Sequence, residues 1–118
     1  MTFRVAVASS DGKVINQHFG RAGQFLIFDL SENGYDFYEL RKTAPVCGSE
    51  ETHDDLLQLT VNCLADCQVV LVSRVGPGAE EALRRSGIRV FAIPGLIQPV
   101  LLKLNKYLRN QDKNFRGE

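Results

Sequence analysis

Short all-apolar runs alternate with longer amphipathic ones along the chain, and that rhythm predicts its elements. "FRVAVA" at Phe3–Ala8, "FLIFDL" at Phe25–Leu30, "VVLV" at Val69–Val72 and "RVFA" at Arg89–Ala92 read as strands. Val69–Val72 has no polar position, as expected of a strand buried on both faces. Tyr35–Leu40 alternates aromatic or aliphatic residues with acidic ones, which suits one wet face near a sheet edge. Asn33-Gly34, just before it, is a hairpin signal. Helical spacing governs the other stretches. Leu56, Leu57, Leu59, Thr60, Cys63 and Leu64 recur at that spacing, behind Thr52 or Asp54 as a cap. Gly76-Pro77-Gly78 opens a second helix, with Glu80 and Glu81 early, Arg84 and Arg85 late, and Gly87 as its stop. A last helix after Pro94-Gly95 places Leu96, Val100, Leu101, Leu104, Tyr107 and Leu108 on one stripe.

The predicted order is three strands, a helix, a strand, a helix, a strand and a helix. Such an order builds an α/β domain around a mixed five-stranded sheet. Strands one, four and five are expected to be parallel and strand two antiparallel. One domain is expected over 1–109, followed by a polar tail at 110–118. The loops Ser9–Gly23, Ser73–Gly78 and Pro94–Leu96 then leave one edge of the sheet, where open α/β sheets bind ligands.

Composition narrows the function classes. The chain has 118 residues, 44% hydrophobic and 24% charged, with zero formal net charge. That length buries a core without staples. Zero net charge argues against whole-surface attraction to nucleic acid or anionic membrane, so neither is expected as a partner. No apolar stretch approaches the roughly 18 residues of a membrane span, and Met1-Thr2-Phe3-Arg4 leads straight into a strand. A cytoplasmic location is expected. Three cysteines make neither a disulfide framework nor the four thiolates of a resident iron–sulfur cluster.

The stretch "NQHFGRAGQF" holds one of two histidines, His18. A neutral imidazole is a common metal ligand and suits iron as well as zinc. Gly20 and Gly23 allow close approach of a bulky object, and Arg21 suits an anionic ligand. Phe19 is expected to plug the core and fix the loop. A second candidate pair, Cys47 and His53, lies in "APVCGSEETHDD"; thiolate and imidazole both bind metal, but no further pair completes a tetrahedral zinc site. Cys63 and Cys67 are expected to be structural, as small buried hydrophobes. Gly76-Pro77-Gly78-Ala79-Glu80 lacks the third glycine of a dinucleotide loop, because Glu81 stands there.

"VAVASSDGKVINQHFGRAGQFLIFDL" and "HDDLLQLTVNCLADCQVVLVSRVGPGAEEALRRSGIRVF" resemble the two halves of the dinitrogenase iron–molybdenum cofactor biosynthesis family. That family includes the carriers NifX and NafY and the C-terminal domain of NifB. The most specific elements are Asn16-x-His18-Phe19-Gly20 and the strand–Gly-Pro-Gly–helix unit. The resemblance implies a three-layer α/β/α, ribonuclease H-like fold with strand order 3-2-1-4-5. It implies transient binding of an iron–molybdenum cofactor or its iron–sulfur precursor, between donor and acceptor assembly proteins. It makes His18 the candidate cluster ligand. The residues' own chemistry adds Cys47 as a further candidate metal ligand and Asn16, Gly20, Arg21 and His53 as candidate site lining. Arg21, and with it Arg41, Lys42 and Arg74, would offset the cluster's negative charge. Ribonuclease H chemistry needs carboxylates gathered around divalent ions. "FRVAVA" has none, so nuclease activity is not expected, and the carrier implied by the resemblance is non-catalytic. The alternative reading is a regulatory or protein-interaction domain that binds a partner or small anion without a cluster.

Overall fold

The computed structural model describes residues 2–43 and 53–115, and the side chains of 2–43 and 57–110. Strand β1 (Phe3–Ala8) is followed by a two-residue strand β2 (Val14–Ile15) and a single 3-10 turn (Phe19–Arg21). The hairpin strands β3 (Gln24–Ser31) and β4 (Gly34–Lys42) come next, then α1 (His53–Cys63), β5 (Val69–Val72) and α2 (Pro77–Arg85). Strand β6 (Arg89–Ala92), the two-residue β7 (Gly95–Leu96) and α3 (Ile97–Phe115) complete the order. Five strands form one mixed sheet in the order β4-β3-β1-β5-β6. β3 runs antiparallel to β1 and β4, while β1, β5 and β6 are parallel. The hairpin turns at Gly34 with φ of 135°, a conformation that needs glycine after Asn33.

Period-two alternation in β1 splits the core between the two sheet faces. Ala6 and Ala8 face Leu57, Val61, Leu64, Ala82 and Leu83 of α1 and α2. Val5 and Val7 face Ile97, Leu101, Leu104 and Leu108 of α3. Three expectations change here. Among the described side chains the buried ones are Leu57, Thr60 and Val61 in α1 and Leu64 just after it, while Leu59 and Cys63 are exposed; the Leu56 side chain lies outside the described residues. At about 100° per residue the apolar positions of α1 make two stripes, and only one meets the sheet. Leu96 precedes α3, lies in β7 and is 60% exposed, and Tyr107 is also exposed. α3 continues through Asn110 to Phe115, so the polar stretch begins inside a helix.

A charged cluster ties β1, β3, β4 and the end of α1 together. Arg41 forks onto Asp66 at 2.6 and 2.7 Å, reaches Glu39 at 2.5 Å and donates to the Cys63 carbonyl at 2.8 Å. Arg4 joins Asp29 and Asp66, each at 2.9 Å, and its guanidinium lies 4.0 Å from the centre of the Tyr38 ring. Arg41 first, and then Arg4, holds the Asp66 carboxyl well below the usual carboxylate range. That depression stabilises the fold fully above the unfolded-state value near pH 4, and the stabilisation is lost as pH falls through the lower folded value. Asp66 is 43% exposed, which screens the pairs. Asp66→Asn is therefore expected to cost about 1–2 kcal/mol at neutral pH. Denaturant unfolding from neutral pH to about pH 2 checks this, because the gap from wild type should close on acidification. A gap independent of pH would remove the carboxylate from the explanation.

The two described cysteines differ in the same region. Burial, with the Asp66 carboxylate beside it, pushes the Cys67 thiol up to about 12, whereas Cys63 is exposed. Thiolate is the reactive form. Iodoacetamide at pH 8 is expected to modify Cys63 in the native protein and Cys67 only after unfolding, with fragment-ion spectra placing the label. Native labelling of Cys67 would show that its enclosure opens readily.

Candidate functional site

The loop between β1 and β3 is stitched at both ends of its path. Near its start, Asp11 Oδ1 accepts from the backbone N–H of Lys13 and Val14, and Ser9 Oγ accepts from Asp11 and Gly12. Those backbone donors hold the Asp11 carboxyl below its ordinary value. Gly12 sits at φ of 77°, where the tight turn requires glycine. β2 then pairs with β7, Val14 opposite Leu96 and Ile15 opposite Gly95. Ile97 N–H donates to the Lys13 carbonyl at 2.9 Å. The loop and the β6–α3 connection thus meet, as the element order predicts.

The second half of the loop runs beside the exit of β5. Ser73 N–H donates to the Gln17 carbonyl and Phe19 N–H to the Arg74 carbonyl, both at 2.9 Å. His18 and Arg74 are partners in an isolated parallel bridge. Bridge partners project from the same side of a ladder, so imidazole and guanidinium leave the backbone together. Both are exposed, as is Arg21 one turn further on. Arg21 N–H donates to the His18 carbonyl at 3.1 Å, which closes the 3-10 turn. Phe19 is the expected plug: it is 1% exposed and lies 5.8 Å from the Phe25 ring within the α1–α2 side of the core. Phe19 therefore anchors this turn while His18 and Arg21, on either side of it, face solvent.

Among the described residues, no carboxylate pairs with Arg21 or Arg74, whereas Arg4, Arg41 and Arg84 all have acidic partners. Two expected members of the site are committed elsewhere. The Asn16 amide braces the turn, donating to Ser10 Oγ at 2.9 Å while its oxygen accepts the Ser10 N–H at 3.0 Å. Arg41 is held by Asp66 and Glu39, so it has no free face for a ligand's charge. Lys42 is exposed at the end of β4, opposite Gln24. Gly20 lies within the 3-10 turn, and a Cβ at Gly23 would meet open space. Cys47 falls outside the described residues, as does the side chain of His53, whose backbone opens α1. Among the described residues no three His, Cys, Asp or Glu side chains gather to hold a metal ion. Sequence reading missed the His18–Arg74 pairing and the bond from the Gln24 amide to the Ser9 carbonyl at 2.9 Å, because no periodic signal marks contacts between distant loops.

The arrangement can present one exposed imidazole, with the exposed Arg21 and Arg74, which have no acidic partner among the described residues, nearby along the backbone, to a large anionic object arriving from solvent. Comparison with known proteins gives that geometry a context. Solved structures with the same fold include the crystal structure of PH0822, with a TM-score of 0.69 at 22% identity over 88% of this chain and 90% of that one. The NMR structure of a Thermotoga protein gives 0.58 at 22% identity, over 86% and 84%. The FeMo cofactor biosynthesis protein NifB of Frankia alni is 35% identical over 88% of this chain and 21% of its own length. The chain thus spans about a fifth of that relative's length. Protein NifX of Sinorhizobium fredii is 30% identical over 90% of this chain and 70% of its own length. The family model described as dinitrogenase iron-molybdenum cofactor matches residues 1–107, and the chain belongs to that family.

Proposed function

We propose that this chain is a non-catalytic carrier that binds an iron–sulfur precursor or the finished iron–molybdenum cofactor during nitrogenase cofactor biosynthesis. The observation that carries this reading is an exposed His18 bridged to Arg74, inside a family tied to that cofactor. Relatives named NifB and NifX support the same process. Such a cargo brings its own bridging sulfides, so its carrier need supply only one or two ligands. Imidazole binds iron, and the exposed Arg21 and Arg74 offset negative charge on the cluster. Cys47 is the second candidate ligand, and His53 and Gly20 belong to the proposed lining. Asn16 contributes by shaping the turn. Few ligands also mean a releasable cargo, which transfer from a donor to an acceptor assembly protein in the cytoplasm requires. The sheet order and its two covered faces fit the ribonuclease H-like, three-layer label, which is part of this proposal.

The test is made without oxygen. Purified chain is mixed with isolated iron–molybdenum cofactor or its iron–sulfur precursor, passed over a sizing column, and iron is assayed in the protein peak. Co-elution of iron is the expected result. A protein peak free of iron would replace the carrier with a regulatory or protein-interaction domain that binds no cluster.

A further inference from the structure

The two edges of the sheet are built differently. β4 has nine residues, a register break opposite Ile27 and Phe28, and Asp36, Glu39, Arg41 and Lys42 along it. Bulges and charges are the usual protection of an edge against pairing. β6 has neither a bulge nor an internal charge: after Arg89 it reads Val90, Phe91, Ala92. Arg89 and Ile93 donate to the Gln68 and Val72 carbonyls, so ladder alternation turns the N–H and C=O of Val90 and Ala92 outward. No strand pairs with that side among the described residues.

Hollows flank this edge. One of about 500 Å³ is lined by Ile88, Val90 and Phe91, with Arg84, Arg89 and Glu80 at its rim. The other, about 280 Å³, lies under α3 between Phe91, Ile93, Val100, Leu104 and Tyr107, with Lys103 beside it. The Phe91 and Tyr107 rings, edge to face at 6.1 Å, wall both. Val90 packs with the α1–α2 cluster and Phe91 with the α3 cluster, so the first hollow wraps round the edge between the two faces and the second lies on the α3 face. Alternate side chains of an added strand point to the two faces and would meet the hollows from either side, the pattern by which extended peptides are read at a sheet edge. The rim is cationic. Arg89 and Lys103 have no acidic partner among the described residues, Arg84 is paired with Glu81, and Glu80 is the single acid lining either hollow.

The geometry points to β6 as a docking edge for an extended acidic segment of a partner polypeptide, which adds a strand beside Val90–Ala92 and seats apolar side chains in the two hollows. This site is independent of His18 and of any cluster.

The probe is a short fluorescein-labelled peptide alternating Val and Phe between acidic ends, with a Lys-ended version as control. Ala92→Pro removes one outward N–H without touching a bond to β5, and Arg89→Glu reverses the rim charge with no change to the backbone. The acidic peptide is expected to bind the wild type, and to bind each variant about tenfold more weakly or worse. The Lys-ended peptide should be weaker on the wild type by a similar factor. In nitrogen–proton spectra the shifts should centre on the Val90 and Ala92 amides. Equal binding by wild type and Arg89→Glu, shifts centred elsewhere, or no binding would overturn the proposal. A concentration-dependent wild-type dimer lost in Ala92→Pro would also overturn it, giving the edge to a second copy of the chain.

Discussion

Phe19→Ala is expected to destabilise the fold by about 3–5 kcal/mol, the usual loss for truncating a buried phenylalanine. The ring is 1% exposed and packs on Phe25, with Ala22 and Ile27 in the same cluster. It reaches that core from a loop, so the truncation leaves a cavity that no regular element can close. The loss is a large share of the about 5–15 kcal/mol that holds a domain together. A fall of roughly 10–20 °C in melting temperature should accompany it. Phe19→Leu, which keeps most of the apolar volume, should lose only about 1–2 kcal/mol. Denaturant unfolding of the three proteins checks the ranking. Native-state hydrogen exchange adds a local reading, because the Phe19 N–H bonded to the Arg74 carbonyl should exchange faster in the Ala variant. If Phe19→Ala unfolds within about 1 kcal/mol of wild type, the ring is not what holds the turn.

That one residue shows how much of the molecule could be read from its residues. The apolar runs located all five strands of the main sheet, because burial on one face or two leaves a period-two or continuous signature. Asn33-Gly34 and Gly76-Pro77 marked turn and helix start through backbone chemistry that is local. Phe19 was legible as a plug because an aromatic among polar and small residues has few other uses. Cys63 was misplaced because crowded apolar positions in α1 fit two helical stripes, and only the packing of α1 on the sheet selects one. The commitments of Arg41 and Asn16 were hidden for different reasons. Arg41 meets Asp66 across 25 positions, a pairing no local rule announces. Asn16 meets Ser10 within its own loop, where amide and hydroxyl side chains compete for backbone groups in many geometries. The His18–Arg74 bridge likewise needed the fold, since it exists only once β5 lies beside β1.

His18→Ala is expected to remove cluster retention, lowering it by more than about tenfold in the sizing-column assay, while leaving stability within about 0.5 kcal/mol of wild type. The separation of the two effects follows from the structure. The imidazole is exposed and makes no side-chain cap bond to the 3-10 turn, and the turn is held by backbone bonds and by Phe19. Loss of binding therefore cannot be charged to loss of fold, as it could for Phe19→Ala. Arg21→Ala and Arg74→Ala act through charge alone, so each should weaken retention less than His18→Ala does. Their deficit should shrink at high salt, which screens exposed charges. Cys47→Ala separates one protein ligand from two: a loss equal to that of His18→Ala would make thiolate and imidazole joint ligands. Retention unchanged in His18→Ala but lost in Cys47→Ala would keep the carrier and move its ligand. Retention unchanged in both would leave the His18 imidazole without a role in holding the cargo.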